Sequence, residues 1–328
     1  MTTLTRLLLA REAGIVVMLV LFYAVVGTVE PRFLTWETFR IVLLAIPLIL
    51  VAAMGQMMVI VARHVDLSIG SILGFAAIAV GMVFRDHPDV PIWIGFLLAM
   101  AIGAGLGLVN GAIVTGFGLP SIIVTLGTMS LFRGLVFILS GGRQVDPNHI
   151  PPALIRMAQT SPIEIPWIVL IALAVAVATH LALRHLRFGR EIYAIGSNPP
   201  AARLRGIRVM PVTLAVFALS GACAGLAGLL YAARFGYVNP GITGVGFELT
   251  VIAAVVIGGV SINGGAGSVL GTALGVLLLG SVTVALPILG VSGFWQNAIY
   301  GAIILLALVI DRSVREGGIG HLRRRGRA

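Results

Sequence analysis

The stretch "PIWIGFLLAMAIGAGLGLVNGAIVT" at residues 91–115 contains no charged side chain. An α-helix rises 1.5 Å per residue, so about 20 apolar residues are enough to cross the roughly 30 Å hydrocarbon core of a bilayer. The stretch is continuously apolar instead of alternating, which favours a membrane helix over a strand of a membrane β-barrel. It therefore predicts a membrane-spanning helix and indicates the fold class of the whole chain.

Similar apolar stretches recur along all 328 residues, of which 59% are hydrophobic and 10% are charged. We predict an all-α polytopic integral membrane protein, with residues 1–328 forming a single transmembrane domain. The pattern indicates ten spans, but two of them, at 69–83 and 247–260, are short for a full crossing, which leaves a count between eight and ten. The predicted spans lie near residues 15–29, 41–62, 69–83, 91–115, 119–140, 167–183, 212–232, 247–260, 269–286 and 294–310.

The distribution of arginine predicts the orientation of these spans. With the N-terminus inside, fifteen of the 22 arginines fall in inner segments, as the positive-inside rule requires. The four tryptophans, at 36, 93, 167 and 295, then all lie where a span begins on the outer side, which suits their preference for the membrane interface. We expect both termini in the cytoplasm, with the basic tail 312–328 as an anchor to anionic lipid and not a nucleic-acid-binding element.

The absence of lysine excludes several chemistries, because all 22 basic residues are arginine. A Walker A loop needs a lysine on the nucleotide phosphates, so the chain is not its own P-loop ATPase. The one cysteine, Cys223, lies in an apolar span and can form neither an internal disulfide nor a metal cluster. The sequence therefore predicts no enzyme, no metal site and no cofactor within this chain.

One polar stretch, "FGREIYAIGSNPPAARLRGI" at 188–207, interrupts the apolar pattern on the predicted inner side. Ser197 or Asn198 can cap a short helix, Pro199 suits its first turn, and Gly206 can close it in the left-handed conformation. A rigid, exposed helix at that place suits docking onto a cytoplasmic partner. An arginine-rich loop that serves only membrane topology explains the composition equally well.

Five stretches resemble the ribose-type sugar permeases of bacterial ABC importers, which also serve xylose, rhamnose and autoinducer-2. The resemblance covers about Phe33 to Asp311 and keeps the order of the family. The stretches are "ARHVDLSIGSILG" (62–74), "GLVNGAIVTGFGLPSIIVTLGTMSLFRGL" (107–135), "GREIYAIGSNPPAARLRGI" (189–207), "GFELTVIAAVVIGGVSINGGAGSVLGTALG" (246–275) and "FWQNAIYGAIILLALVID" (294–311).

The resemblance implies the ABC importer permease fold in the bacterial inner membrane. It implies ABC ATPase subunits that bind ATP and Mg²⁺ on the inside, a periplasmic sugar-binding protein outside, and a second permease that is either identical or homologous. The stretch "ARFGYVNPGITGVGFE" at 233–248 is most similar to the rhamnose and autoinducer-2 branch. We therefore expect a monosaccharide or a sugar-like solute.

The resemblance also implies an ATPase-docking role for residues within a coupling segment at about 187–208. One departure is Pro200, where the family often has a charged or polar residue, and we expect it to shorten the helix without abolishing docking. The residues carried over are Ser197, Asn198, Pro199, Ala201, Ala202, Arg203 and Gly206.

Several polar residues within or beside the spans are candidates for the solute pathway. A charge in a span must face protein, water or an opposite charge, and Asp66 and Glu248 are the possible partners of Arg133. Asp66 can instead cap the following helix, with Arg63 or His64 beside it, and the uncharged groups can join helices. The pathway candidates are Asp66, Ser71, Asn110, Thr125, Arg133 and Glu248.

Two other functional classes remain as alternatives. An ion-coupled secondary transporter needs titratable groups near the membrane midplane, and Asp66 and Arg133 are the only support for it. A membrane-embedded enzyme needs a cluster of carboxylates, histidines or metal ligands, whereas the twelve acidic residues are scattered over loops.

Overall fold

The computed structural model describes residues 13–159, 165–302, 304 and 305, and these residues are predominantly helical. Two 3₁₀ turns, Pro31–Leu34 and Pro147–His149, lie in loops. The α-helices are α1 Ala13–Val29, α2 Trp36–Val61, α3 Ile69–Asp86, α4 Ile92–Phe117, α5 Ser121–Ser140, α6 Pro152–Gln159, α7 Trp167–His185, α8 Arg187–Ser197, α9 Pro199–Leu204, α10 Val209–Phe235, α11 Phe247–Ile257 and α12 Val269–Ile288.

Seven of these helices are long and apolar enough to cross a membrane, namely α2, α3, α4, α5, α7, α10 and α12. The stretch 69–83, short by its sequence pattern, belongs to the 18-residue helix α3. Two shorter apolar helices, α1 and α11, coincide with the predicted spans 15–29 and 247–260. Residues 295–302 of the predicted span 294–310 are also helical, and the span falls partly outside the described residues. The all-α polytopic prediction is confirmed, and seven of its ten spans have the required length.

Helix α10 is the centre of the bundle and packs most extensively on α4, α2 and α3. Its approach to α4 is so close that backbones touch. A β-carbon on Gly103 would collide with the carbonyl oxygen of Gly221, and one on Gly221 would collide with that of Gly103. Gly107 and Gly225 lie one turn further along each helix and make equivalent contacts. This is the small-residue packing by which membrane helices associate without a hydrophobic driving force.

Two irregular segments interrupt the helical bundle. Loop 62–68 joins α2 to α3, and segment 236–246 joins α10 to α11. Gly244, with φ of 78°, lies directly against the backbone of Gly70 at the start of α3. Loop 62–68 therefore leads into α3, and segment 236–246 packs against the first turns of the same helix.

A pair of substitutions on α4 tests the close crossing with α10. Gly103→Ala places a methyl group against the α10 backbone, and overpacking of this kind costs about 1–3 kcal/mol. Gly105→Ala is the matched control, because nothing lies within 4 Å of that position, and alanine favours a helix by up to about 1 kcal/mol. We expect a lower thermal unfolding midpoint of the detergent-solubilised protein for Gly103→Ala alone. Equal midpoints for the two variants would contradict this packing.

Candidate docking segment and polar interior

Segment 187–208 forms a compact helical element at one end of the bundle, which we call the α9 end. Helix α8 buries Ile192 and Ile195 against the bundle and leaves Arg190 exposed. Asn198 caps α9, since its side-chain oxygen accepts a hydrogen bond from the Ala201 amide at 3.1 Å. Gly206 closes the element with φ of 79°. The cap and the left-handed glycine are therefore where the sequence predicts them.

The tip of this element presents a large apolar side chain to solvent. Leu204 is 91% exposed, whereas Ala202, two residues earlier, is buried. Arg203, Arg205 and Arg208 surround it and are all exposed. Leu204 is therefore a surface residue of this chain and is accessible to a partner that binds at this end.

Segment 187–208 is joined to two other parts of the chain at a tight backbone junction. Gly196 lies directly against the carbonyl oxygen of Val61, which also accepts a 2.9 Å hydrogen bond from the amide of Gly265. The hydroxyl of Tyr193 donates to the carbonyl oxygen of Gly267 at 2.9 Å. Burial raises the pKa of this tyrosine, so its proton stays in place. The end of α2, the α8 helix and loop 258–268 therefore meet at this junction.

Four of the six predicted pathway residues gather around Ser68, in an interior that excludes solvent. The Asp66 carboxylate accepts hydrogen bonds from the amide and the hydroxyl of Ser68, at 2.8 and 2.6 Å. Asn110 donates to the same hydroxyl at 2.7 Å, and Ser71 donates to the Ser68 carbonyl oxygen at 2.8 Å. Thr125 accepts the Leu67 amide at 3.0 Å. These side chains hold loop 62–68 in place.

Asp66 lies in this loop, outside both flanking helices, and is fully buried. Burial raises the pKa of its carboxyl to about 6, while the two hydrogen bonds from Ser68 act in the opposite direction. Neither Arg63 nor His64 forms an ion pair with it within the described part of the chain. Asp66 thus stabilises the turn that leads into α3 through Ser68 and not through a neighbouring cation.

The remaining two candidates, Arg133 and Glu248, lie together at segment 236–246. The guanidinium of Arg133 donates to the carbonyl oxygens of Thr243 and Gly244, at 2.8 and 3.0 Å. Glu248 does not come within ion-pair distance of it, and its Oε2 atom has no hydrogen-bond partner among the described residues. Arg133 therefore satisfies two backbone carbonyls of an irregular segment.

A cavity of about 340 Å³ opens at the end of the bundle opposite α9, and we call it the far cavity. Arg234, Phe247, Thr250, Gln296 and Asn297 are among the residues that line it. The guanidinium of Arg234 lies 4.8 Å from the ring centre of Phe235 and has no carboxylate within 4 Å in the described residues. None of the six predicted pathway residues lines this cavity. Its wall includes Gly244 and Gly246.

The sequence pattern does not indicate most of the residues that form the α9 end and the far cavity. The pattern around Leu204 predicts a leucine that packs inside the bundle. Tyr193 lies in an amphipathic helix whose pattern does not distinguish it from its neighbours. Gln296 and Asn297 belong to the quoted stretch 294–311 but carry no recognisable spacing. Arg234, at the end of a span, and the aromatic residues Phe235 and Phe247 near it are the signals that could have indicated the far cavity.

Substitutions at Asp66 test its role in the loop. Asp66→Asn keeps an oxygen that can accept both Ser68 bonds, whereas Asp66→Ala leaves two buried donors unpaired, at a cost on the order of 2 kcal/mol. Well below the ordinary pKa of 3.8 the folded and unfolded carboxyls are both protonated. Between that value and about pH 6 the stability of the parent chain falls as the pH rises, because burial raises the pKa of the folded carboxyl.

We therefore expect Asp66→Ala to unfold at a lower temperature throughout, and the stability of Asp66→Asn relative to the parent to rise from about pH 4 to about pH 6 and to level off above it. Thermal unfolding in detergent measures both, with Asp89→Asn, an exposed acid, as the control. A constant difference between Asp66→Asn and the parent across this range would refute the pH dependence.

Comparison with known proteins shows the family to which the chain belongs. Residues 37–308 match a family described as the permease component of a branched-chain amino acid transport system. An autoinducer 2 import system permease protein, LsrC, of Yersinia enterocolitica is 33% identical over 93% of this chain and 83% of its own length. LsrC of an Enterobacter species is 31% identical over 97% of this chain and 91% of its own length. LsrC of Salmonella typhi is 32% identical over 96% of this chain and 89% of its own length. No solved structure matches the chain.

These matches extend over nearly the whole helical bundle, including segment 187–208, loop 62–68 and segment 236–246. The resemblance to sugar permeases of ABC importers is confirmed. The chain is a multi-pass membrane protein that belongs to this family of ABC importer permeases.

Proposed function

We propose that the chain is the permease subunit of an ATP-driven importer for autoinducer 2 or a closely similar sugar-like solute. The observation that carries this proposal is the match of nearly the whole chain to autoinducer 2 import permeases, and Leu204, exposed at the tip of the capped helix α9, offers a contact for the partner. Full burial of a leucine contributes about 2 kcal/mol, so such a side chain is suited to a partner's pocket. The partner is an ABC ATPase subunit, which binds ATP and Mg²⁺ in place of a chain that has no lysine.

The surroundings of Leu204 support docking on charge and shape. Three exposed arginines give this end a positive potential, which steers association with an acidic surface and fixes its register. A groove of about 630 Å³ lies beside Arg203 and Arg208 and can receive a side chain of the partner. In this proposal Ser197, Asn198, Pro199, Ala201, Ala202 and Gly206 shape the element, and Arg203 with Leu204 makes the contact.

The far cavity supports import of a small polyhydroxylated solute. Its volume lies near the lower end of the range for small-molecule pockets, about 300–1,000 Å³. Arg234 and Asn297 offer hydrogen-bond donors to an oxygen-rich solute, and Phe247 offers an apolar face. The names of the relatives favour autoinducer 2 over an amino acid as this solute.

The proposal places the α9 end in the cytoplasm of a bacterial cell, with both termini inside. The far cavity then faces the periplasm, where a sugar-binding protein delivers the solute. A second permease, identical or homologous, completes the membrane part of the importer. The predominance of arginine in the predicted inner segments supports this orientation.

Leu204→Ala tests the docking surface without disturbing the fold, since the side chain makes no internal contact of consequence. We expect the affinity for the ATPase subunit to fall about 30-fold, in line with loss of roughly 2 kcal/mol at an interface anchor, and Arg203→Glu to weaken it further. Co-purification of the ATPase at increasing salt, followed by ATP-dependent uptake in vesicles, measures the effect.

Arg143→Glu is the control for the charge reversal, because Arg143 is an exposed arginine at the opposite end of the bundle. Undiminished ATPase binding by Leu204→Ala would place docking elsewhere. Uptake by the chain alone, without ATP or any ATPase, would instead establish the ion-coupled secondary transporter.

A further inference from the structure

Helix α5 lies at the edge of the bundle and packs chiefly on α3. Like α4 and α7, it leaves most of its apolar surface exposed in this chain. Polar side chains attach it at two separate levels. A helix with few buried apolar contacts can move as a unit more easily than one in the core.

The lower attachment of α5 lies near the docking segment. The Ser121 hydroxyl accepts the amide of Val65 at 2.9 Å, and the Thr125 hydroxyl accepts that of Leu67 at 3.0 Å. Both amides belong to loop 62–68, which follows Val61 directly. Val61 in turn lies against Gly196 of segment 187–208. The start of α5 is therefore two contacts away from the proposed docking element.

The upper attachment is Arg133, eight residues and so about 12 Å further along the helix. Its guanidinium holds the carbonyl oxygens of Thr243 and Gly244 together. Gly244 forms part of the wall of the far cavity. A planar guanidinium can bond two adjacent carbonyls at once, which a lysine ammonium does not do with the same fixed geometry.

We propose that α5 is a rigid link between the docking end and the far cavity, and that Arg133 is the positioning residue that transmits its movement to the cavity wall. This inference rests on the proposed function. Arg133 acts through segment 236–246 and does not bind the solute. When the ATPase moves segment 187–208, loop 62–68 is displaced, and the bond of this loop to Thr125 moves α5. Arg133, on the same helix, then moves segment 236–246.

Two mild substitutions, one at each attachment, separate this role from a structural one. Arg133→Lys keeps the charge but weakens the paired carbonyl contact, and Thr125→Val keeps the shape but removes the acceptor of the Leu67 amide. Arg156→Lys, on the exposed side of α6, is the matched control. Each variant is purified with its ATPase and reconstituted with the solute-loaded binding protein.

We expect each of the two variants to assemble and to keep its basal ATP hydrolysis. The stimulation of hydrolysis by the loaded binding protein should fall about fivefold or more, at the lower end of the usual range of coupling between sites. Because both contacts belong to one link, the double variant should lose no more stimulation than the worse single variant.

Unchanged stimulation in both single variants overturns the inference, as does a double variant whose loss is the product of the two single losses. If Arg133→Lys does not assemble, Thr125→Val decides alone: reduced stimulation with normal basal hydrolysis supports the link, and normal stimulation refutes it. Measurements on the unsubstituted complex distinguish a failure of this inference from a failure of the proposed function. An ATPase that neither binds the parent chain nor responds to loaded binding protein refutes the proposed function itself.

Discussion

The structure depends on one constraint, which is that a backbone buried away from water must satisfy its hydrogen bonds within the protein. Long helices do this by themselves, but loop 62–68 and segment 236–246 do not. Side chains supply the missing partners: Ser121 and Thr125 bond the first, and Arg133 bonds the second. The polar residues of the interior are thus placed where the backbone leaves its helical path, and their positions follow from that need.

The same constraint explains the glycines. Broken segments can be enclosed only where neighbouring backbones come very close, as Gly244 does against Gly70 and Gly196 does against Val61. The amide of Gly265 donates to the carbonyl oxygen of Val61 from a backbone conformation, with φ of 73°, that residues with a β-carbon rarely adopt. Small residues therefore bring together segments that are remote in sequence, and the junction beside the docking helix is one result.

Hydropathy was sufficient to predict an all-α membrane bundle, because it depends on local composition. The cap at Asn198 and the left-handed Gly206 were also local and could be predicted. The role of Arg133 could not, since its partners are backbone carbonyls 110 and 111 positions away, which carry no side-chain signature. A charge in a span suggested an acidic partner; Glu248 is near enough for an electrostatic interaction but forms no ion pair, and two peptide carbonyls accept the hydrogen bonds. The exposure of Leu204 likewise depends on how α9 sits on the bundle.

The polar interior also has the properties that a moving part requires. Oδ2 of Asp66, Oδ1 of Asn110 and Oε2 of Glu248 are buried and have no hydrogen-bond partner among the described residues. An unpaired acceptor in one arrangement is available to a donor in another, so an exchange of partners can offset part of the cost of breaking existing bonds. A core filled only with leucine and valine has no such second set of partners. A transporter that alternates between two arrangements therefore gains from polar groups that one arrangement leaves only partly paired.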